Sequence, residues 1–241
     1  AAPAPEPPAA GPLKVLRYSP EGAVPLAPYV SVTFDQPMVP LTAIGDLAAQ
    51  DVPVELVPQP AGDWRWVGTR TLLFEPAGER FPMATDYTVE IPAGTQSATG
   101  GTLAETVRWT FSTPPPRIVT HYPFGDPQVR KPLIVIVFDQ RIDPHAVLKT
   151  ITLKAGDKSY PLELAGQEDL QADEELWRLL ASAGEGRWLA FYPTQLLPYD
   201  SLVAVIVGPG TPSAEGPRTT ETAQTFSFTT YGPLRVVEAR C

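Results

Sequence analysis

Apolar and polar residues alternate along two short stretches of the chain that closely resemble each other. Val30 to Met38 reads VSVTFDQPM, and Ile134 to Ile142 reads IVIVFDQRI. In an extended chain successive side chains point to opposite faces, so the first, third and fifth residues of each stretch share one face. Both stretches are therefore predicted to be β-strands, and each ends in the same Phe-Asp-Gln.

Other segments repeat around these two strands, and they do so in the same order. The matched pairs are LKVLRYSP (13–20) with RIVTHYPF (117–124), TLLFEP (71–76) with WLAFYP (188–193), PMATDYTVEIPAGT (82–95) with PYDSLVAVIVGPGT (198–211), and WTFST (109–113) with FSFTT (226–230). Several matches in one order indicate an internal duplication. The sequence therefore predicts two similar β-domains in tandem.

Each copy is predicted to be an immunoglobulin-like β-sandwich, the first at 13–113 and the second at 117–230. The strands expected in the first copy lie near 13–18, 29–35, 52–57, 64–67, 70–75, 86–91 and 107–112. Short strands separated by frequent turn signals are typical of this all-β fold. The side chains expected to fill its core are large and aromatic: Phe34, Trp64, Trp66, Phe74, Tyr87, Trp109 and Phe111.

Three segments lie outside the predicted sandwiches. Residues 1–12 are rich in Ala and Pro, which favours an extended, semi-rigid spacer over a folded domain; a disordered terminus with no role is the alternative. Residues 114–116 are three prolines, which predict a short, stiff linker. Residues 231–241 are interpreted as the start of a truncated third domain, and the alternative is a frayed tail with an incidental thiol. They end at the single cysteine, Cys241, which allows no internal disulfide and leaves open a partner further along a longer chain.

The second copy contains one segment with helical periodicity. Between its middle strands, the stretch near 168–183 places leucines at helical spacing and acidic residues at its start, where the helix dipole is positive. The expected role of this helix is to cover an edge or an open end of the sandwich. Presentation to a partner protein is the functional alternative.

Composition and charge narrow the classes of function. Thirty prolines and 18 glycines among 241 residues disfavour long helices and agree with an all-β chain. The formal net charge of −9 argues against a nucleic-acid partner, because phosphate backbones are bound by clustered Lys and Arg. No stretch is apolar over the eighteen or more residues that crossing a bilayer requires.

The residues able to do chemistry are few and scattered. His121 and His145 lack the local spacing of a zinc site, and Asp139 and Asp143 near His145 would be the nearest candidates for an acid–base pair. Turn-forming and capping carboxylates are the favoured interpretation. No nucleophile-elbow or phosphate-binding glycine motif is present. We therefore predict no catalytic, cofactor-binding or metal-binding residue and no enzymatic activity.

Two further groups of residues have a binding interpretation beside a structural one. The acidic run in the predicted helix has the carboxylates that calcium binds, but it lacks the alternating ligand spacing of a loop site, so a solvated helix face is the favoured interpretation. The run comprises Glu168, Asp169, Asp173, Glu174 and Glu175. Trp64 and Trp66 would stack on a sugar if exposed, and otherwise they fill the core. The repeated Asp35 and Asp139 are expected to bind backbone groups of the adjoining turn.

The motifs quoted above carry a family resemblance over nearly the whole chain after the spacer. VSVTFDQPM, TLLFEPAGERFPMATDYTVEIPAGT and WTFST resemble the bacterial Ig-like modules that also occur in surface-layer proteins. The tandem pair followed by TYGPLRVVEARC is similar to the amino-terminal part of a bacterial alpha-2-macroglobulin. That resemblance implies a large periplasmic or cell-envelope protein, often lipid-anchored, that traps proteases after they cleave a bait segment.

The trapping chemistry of that family does not carry over to these residues. The family's Cys-Glu-Gln thioester is absent, and no bait segment is identifiable. The resemblance therefore implies a scaffold fragment. Its partners would be the remaining domains of a parent chain, target proteases through the intact parent, and a membrane only through a lipid anchor. The alternatives are a spacer in a surface-layer or adhesin-type protein and, less favoured, a carbohydrate-binding module.

Overall fold

The computed structural model describes residues 11–40, 52–124, 127–170, 176, 180 and 182–234, with backbone alone at 167 and 168. Nearly all of the predicted spacer, and the predicted third domain beyond Leu234, therefore lie outside the described residues. The chain divides into two compact units, residues 1–114 and 115–241, called domain 1 and domain 2 below. The division falls within the run of three prolines.

The described residues of domain 1 form eight strands in two four-stranded sheets. They are β1 (Val15–Ser19), β2 (Gly22–Ala23), β3 (Val30–Phe34), β4 (Glu55–Val57), β5 (Gly62–Val67), β6 (Thr71–Pro76), β7 (Asp86–Ile91) and β8 (Val107–Ser112). One sheet has the order β1-β3-β6-β5 and the other β2-β8-β7-β4. Strand β2 pairs with β8 in parallel, and the other pairs are antiparallel. This is the A-B-E-D and A′-G-F-C arrangement of an immunoglobulin-like sandwich.

Domain 2 repeats this plan. Its elements are β9 (Ile118–Tyr122), β10 (Ile134–Phe138), α1 (Pro144–Leu148), β11 (Ile151–Ala155), β12 (Lys158–Tyr160), β13 (Leu162–Leu164), α2 (Gln167–Leu170), β14 (Trp188–Pro193), β15 (Leu202–Val207) and β16 (Gln224–Thr229). Its sheets have the orders β13-β14-β10-β9 and β12-β11-β15-β16. Strand β10 therefore takes the place of β3, and β16 the place of β8. Strand β12 extends the second sheet beyond the plan of domain 1.

The two repeated phenylalanines occupy equivalent places in separate cores. Phe34 and Phe138 are almost fully buried, and each N–H donates to the carbonyl that precedes the neighbouring strand, at Arg70 and Arg187 (2.9 and 2.7 Å). The core residues of each domain come from that domain alone. The prediction of an all-β chain with two immunoglobulin-like sandwiches is therefore confirmed, with Phe34 and Phe138 at matching positions.

Domain 1 also contains the tyrosine corner that is common in this fold. The hydroxyl of Tyr87, near the start of β7, donates to the carbonyl of Pro82 at 2.9 Å. The ring stacks on Phe111 and meets Phe81 edge-on. Domain 2 has Val203 at the corresponding position, so its corner is held in other ways, described below.

The helical segment of domain 2 covers the outer face of a sheet, which corrects the prediction that it would cover an edge or open end. Leu170, Leu176 and Leu180 form a second hydrophobic cluster with Val135, Val137 and Ala190, on the side of β10 and β14 away from the sandwich core. Strand β10 is consequently buried on both faces at all five positions. In domain 1 the outward positions of β3 are Ser31 and Thr33, which are only partly buried.

The start of this helix is held by polar contacts. The carboxylate of Asp169 accepts a hydrogen bond from the N–H of Gly166 at 2.9 Å, as the third residue of a helix does in a capping box. Burial raises the pKa of Tyr192 on β14, and the nearby Asp169 carboxylate raises it further. Ser182 and Ala183 are helical as well.

Candidate functional site

The repeated aspartates clasp the first strand of each sandwich. The Oδ1 atom of Asp35 accepts from the N–H of Lys14 at 2.8 Å, and the N–H of Asp35 donates to the carbonyl of Lys14 at 3.0 Å. Asp139 makes the same pair of bonds with Arg117, at 3.0 and 3.1 Å. Both aspartates therefore bind backbone groups, as predicted, but their partner lies at the start of the neighbouring strand and not in the adjoining turn.

The glutamine after each aspartate is also part of the scaffold. The amide of Gln36 donates to the carbonyl of Gly11 at 2.8 Å and accepts from the hydroxyls of Ser97 and Thr99 at 2.7 and 2.9 Å. These bonds join the B strand to the loop between the F and G strands. Gln140 is fully buried and donates to Asp139 at 3.1 Å.

A buried threonine joins the last strand of each domain to the loop that precedes the F strand. In domain 2 the hydroxyl of Thr230 donates to the carbonyl of Pro198 at 2.7 Å and accepts from the N–H of Ser201 at 3.0 Å. In domain 1 Thr113 makes the same contacts with Pro82 (2.9 Å) and Thr85 (3.1 Å). These contacts are structural: they fix the backbone where the chain leaves each sandwich.

In each domain, the residue just before the one whose N–H binds the buried threonine has a positive φ angle. Ala84 and Asp200 have φ angles of 55° and 45°, in the left-handed region that residues other than glycine seldom adopt. Each N–H donates to the carbonyl of the residue after the buried threonine, at Pro114 (2.9 Å) and Tyr231 (3.1 Å). The duplication therefore extends to the point where the chain leaves each domain.

The candidate acid–base residues do not form a catalytic arrangement. Asp143 caps α1, because its Oδ1 accepts from the N–H groups of His145 (2.9 Å) and Ala146 (3.4 Å). His145 is exposed, whereas His121 is partly buried in strand β9 and stacks on Phe226. Asp139 is committed to Arg117, as described above. Among the described residues, no three His, Cys, Asp or Glu side chains meet in a way that would hold a metal ion.

The predicted calcium candidates fall mostly outside the described residues. Asp173, Glu174 and Glu175 are not described, and the side chain of Glu168 is not described either. Asp169 binds the helix start at Gly166.

The two tryptophans with a sugar-binding alternative lie in the core of domain 1. Trp64 and Trp66 are 8% and 9% exposed. Trp64 meets Phe74 edge-on with the ring centroids 5.0 Å apart, and Trp66 lies against Phe34 at 6.3 Å. An aromatic platform needs an open ring face, so the sugar-stacking alternative is wrong for this pair.

A cleft with a volume of about 530 Å³ opens beside this core. Its described lining consists of Met38, Val39, Val52, Pro53, Trp66, Thr95 and Gln96. None of these side chains titrates near neutral pH, so the described part of the lining offers apolar contact and two polar groups but no acid or base. In domain 2 the corresponding connection between the B and C strands contains α1, whose Val147 is fully buried in the core.

Exposed apolar side chains gather at the end of domain 2 where its last strand leaves. Tyr231 donates its N–H to the carbonyl of Gln128 and accepts at its carbonyl from Asp200, which brings the loop at 196–202 close to the segment at 128–130. Around this crossing, Val129, Tyr199 and Tyr231 are 57%, 50% and 54% exposed. The guanidinium of Arg130 lies 4.3 Å from the centre of the Tyr199 ring. Such a surface suits contact with protein better than it suits chemistry.

The perturbed charges of domain 1 lie on its surface. Arg65 on β5 and Glu75 on β6 are diagonal neighbours in the register and form a two-point ion pair at 2.7 and 2.8 Å. The hydrogen bonds from Arg65 lower the pKa of Glu75 and raise that of Arg65. Neither residue lines the cleft, so this pair supports the sheet and not a site.

Comparison with known proteins agrees with the fold of the first domain. Residues 9–113 match the bacterial Ig-like domain family, Big_5. The match covers domain 1 almost completely, and domain 2 has the same strand plan. No curated protein matches the sequence.

Several solved structures match the chain at low sequence identity and with TM-scores below 0.5. L,D-transpeptidase 3 from Mycobacterium tuberculosis is 18% identical, with 64% of this chain and 58% of that chain covered and a TM-score of 0.30. Native alpha-2-macroglobulin from Escherichia coli, spanning domains MG0-NIE-MG1, is 13% identical, with 92% and 72% covered and a TM-score of 0.32. Titin domains A168-A170 are 12% identical, with 92% and 66% covered and a TM-score of 0.42. The chain therefore spans 58% of the length of the transpeptidase that it matches.

Sequence reasoning missed the threonine and left-handed residue at each domain exit. Both threonines end the matched segments WTFST and FSFTT, so their equivalence was visible in the sequence. Their contacts were not, because each bonds to a loop about thirty residues earlier. The signal that would have found them is a threonine repeated at the end of the same alternating strand, in step with the inward-facing aromatic residues before it.

Proposed function

We propose that this chain is a non-catalytic structural part of an exported bacterial multi-domain protein of the cell envelope. Its two Ig-like domains would act as modules that set the spacing of neighbouring domains. The more specific proposal is that the parent is an alpha-2-macroglobulin-like protein that traps proteases.

The observation that supports a modular role is the repeated exit of the two domains. Thr113 and Thr230 bind the preceding loop in the same way, and the carbonyls of Pro114 and Tyr231 accept from equivalent left-handed residues. Modules in a series need their chain ends held in one geometry, whereas a catalytic domain has no such requirement. The side chains repeated between the copies bind backbone groups and fill cores.

The macroglobulin proposal is supported by a sequence resemblance. The tandem pair and the TYGPLRVVEARC segment after it resemble the amino-terminal part of a bacterial alpha-2-macroglobulin. The family match of domain 1 supports a bacterial Ig-like module. No helix among the described residues has the length and apolar character needed to cross a bilayer. The proposed partners are the remaining domains of the parent, proteases through the intact parent, and a membrane through a lipid anchor.

A protease-protection assay tests this proposal. The complete gene product and the 241-residue chain would each be mixed with a protease, and hydrolysis of a large protein substrate would be compared with hydrolysis of a small chromogenic peptide. A trap excludes the large substrate but still admits the small one. We expect this difference with the complete protein and neither inhibition nor hydrolysis with the isolated chain.

Two outcomes would count against the proposal in different ways. If the complete protein showed no selective protection, the macroglobulin assignment would be wrong, and a spacer in a surface-layer or adhesin-type protein would replace it. If the isolated chain hydrolysed a substrate or blocked the protease by itself, the non-catalytic scaffold role would be wrong.

A further inference from the structure

An aromatic stack joins the two sheets of each sandwich, and its composition differs between the domains. In domain 1 Tyr18 on β1 stacks on Trp109 on β8, with ring centroids 4.2 Å apart and an angle of 19° between the ring planes. In domain 2 His121 on β9 stacks on Phe226 on β16, at 3.9 Å and 10°. Each stack therefore links the first strand of one sheet to the last strand of the other.

Strand register shows that the two stacks are equivalent. Tyr18 pairs with Val32 on β3, and His121 pairs with Ile136 on β10, the corresponding residue of the repeat. The strand register also shifts before this point in both domains. In β1 the shift lies between Val15 and Arg17, and in the pairing of β9 with β10 it lies opposite Val137 and Phe138. Domain 2 thus has an imidazole ring where domain 1 has a phenol ring.

We propose that the stack of His121 on Phe226 is an acid-sensitive latch that holds strand β9 onto domain 2, and that domain 1 has no such sensitivity. Among the strands that the structure describes, β9 pairs with β10 alone and lies at the edge of its sheet. Losing the stack would therefore weaken the attachment of one whole strand. The remaining strands of that sheet would keep their pairs.

The surroundings of the imidazole offer little to stabilise a positive charge. The strands packed against it, β10, β15 and β16, contain no Asp, Glu, Lys or Arg, and Tyr122 is the other titratable residue of β9. Charged residues enter this neighbourhood at its margins, with Arg117 before β9 and Arg130 after it; Arg130 lies over Tyr199. Both are cations, so neither would stabilise a protonated His121. The carboxylate at the Arg117 end, Asp139, already accepts from the Arg117 N–H and the Gln140 amide.

The hydrogen bond of the ring is compatible with the neutral form. Its Nδ1 lies 3.2 Å from the carbonyl oxygen of Pro123, to which an Nδ1–H group donates. Burial lowers the pKa of His121, and the bond to the Pro123 carbonyl opposes that change in part. A cation facing the Phe226 ring would also be attracted to it, which again opposes the effect of burial.

The sign of the pH effect follows from the lowered pKa. When β9 is detached, His121 regains its ordinary pKa of about 6.5 and binds a proton more readily than in the folded domain. The stabilisation by the latch is therefore complete above that ordinary value. It is lost progressively as the pH falls through the lower pKa of the folded state.

Hydrogen exchange of the full chain at pH 7.5 and pH 5.0, corrected for intrinsic exchange rates, tests the latch. Mass spectrometry of peptides covering 118–122 and 15–19 reports the two first strands separately. We expect protection of 118–122 to fall at pH 5.0 and protection of 15–19 to stay constant. His121→Tyr, which copies domain 1, should remove the difference, and His145→Gln, at an exposed position, should keep it.

The pKa of His121 measured by NMR in the unaltered protein provides a second test that does not depend on any variant folding. A value below the ordinary histidine pKa of about 6.5 would support the proposal. A value at or above it would overturn the proposal, because the ring of Phe226 would then stabilise the cation. Equal losses of protection in both strands, or a loss that persists in His121→Tyr, would overturn it as well.

Discussion

Replacing Thr230 by valine tests whether the exit of domain 2 depends on the buried hydroxyl. Valine has almost the same shape as threonine, so the change removes the oxygen with little change in packing. Thr230 is 2% exposed, and its hydroxyl is the partner of both the Pro198 carbonyl (2.7 Å) and the Ser201 N–H (3.0 Å). A further contact with the Ser201 carbonyl, at 3.4 Å, is long enough to be neglected.

The expected loss of stability follows from the two backbone groups left without this partner. An unsatisfied buried donor or acceptor costs about 1 to 3 kcal/mol. Pro198 and Ser201 are only partly buried, so water can reach them, and the lower part of that range applies to each. We therefore expect the free energy of unfolding of domain 2 to fall by about 2 to 3 kcal/mol, which is roughly 8–12 °C in its Tm for a domain of this size.

Calorimetry of the full chain measures this change. Thr225→Val is a matched control, because Thr225 lies in β16, the strand that leads directly into Thr230, and is exposed; the change there should stay within about 0.5 kcal/mol. Thr113→Val should lower the Tm of domain 1 and leave the Tm of domain 2 unchanged. The reasoning would be refuted if Thr230→Val behaved like Thr225→Val, or if it lowered both transitions together.

Two further substitutions test other repeated positions. Asp139→Ala should destabilise domain 2 by about 1 kcal/mol because the Arg117 N–H loses its acceptor; urea unfolding should show the loss, and Asp139→Asn, which keeps an acceptor, should show much less of it. Val137→Thr should cost domain 2 about 1 to 3 kcal/mol, since it buries a hydroxyl under the helical segment. Thr33→Val, at the equivalent position of domain 1 that no helix covers, should change the free energy of unfolding by under about 1 kcal/mol in the same assay. Equal effects at the two positions would contradict the claim that the helical segment covers the outer face of domain 2.

The strands of domain 1 were predictable because their alternation is clear. Seven predicted strands correspond to observed ones within a few residues, and the markers Val30–Phe34 and Ile134–Phe138 were found with their inward faces correct. The eighth strand, Gly22–Ala23, was missed because two residues cannot show a period. Its pairing with β8 is visible only in three dimensions.

The position of the helical segment was mispredicted although the sequence contained the signal. The run IVIVF in the second copy is apolar at every position, whereas VSVTF in the first alternates. A strand that is buried on both faces reads as a continuous apolar run. Attention to Val135 and Val137 would therefore have predicted a covering layer on the outer face of the sheet.

The equivalence of Tyr18 and His121 was hidden by the neighbouring residues. Both LKVLRYSP and RIVTHYPF contain a tyrosine before proline, which favours matching Tyr18 with Tyr122. The structure places Tyr122 opposite Val135, on the outer face, and His121 in the stack. The tyrosine is one residue nearer to proline in the second copy, and a shift of one residue moves a side chain to the other face of the sheet.

Phe138→Leu followed by hydrogen-exchange mass spectrometry of the full chain tests most directly whether each copy of the sandwich has its own interior. The altered side chain lies in the core of domain 2, which shares no residue with the core of domain 1. Exchange should rise in peptides from 117–230 and remain unchanged in those from 13–113, and Phe34→Leu should give the reverse. A rise in both domains from either substitution would show a single shared core and contradict the account.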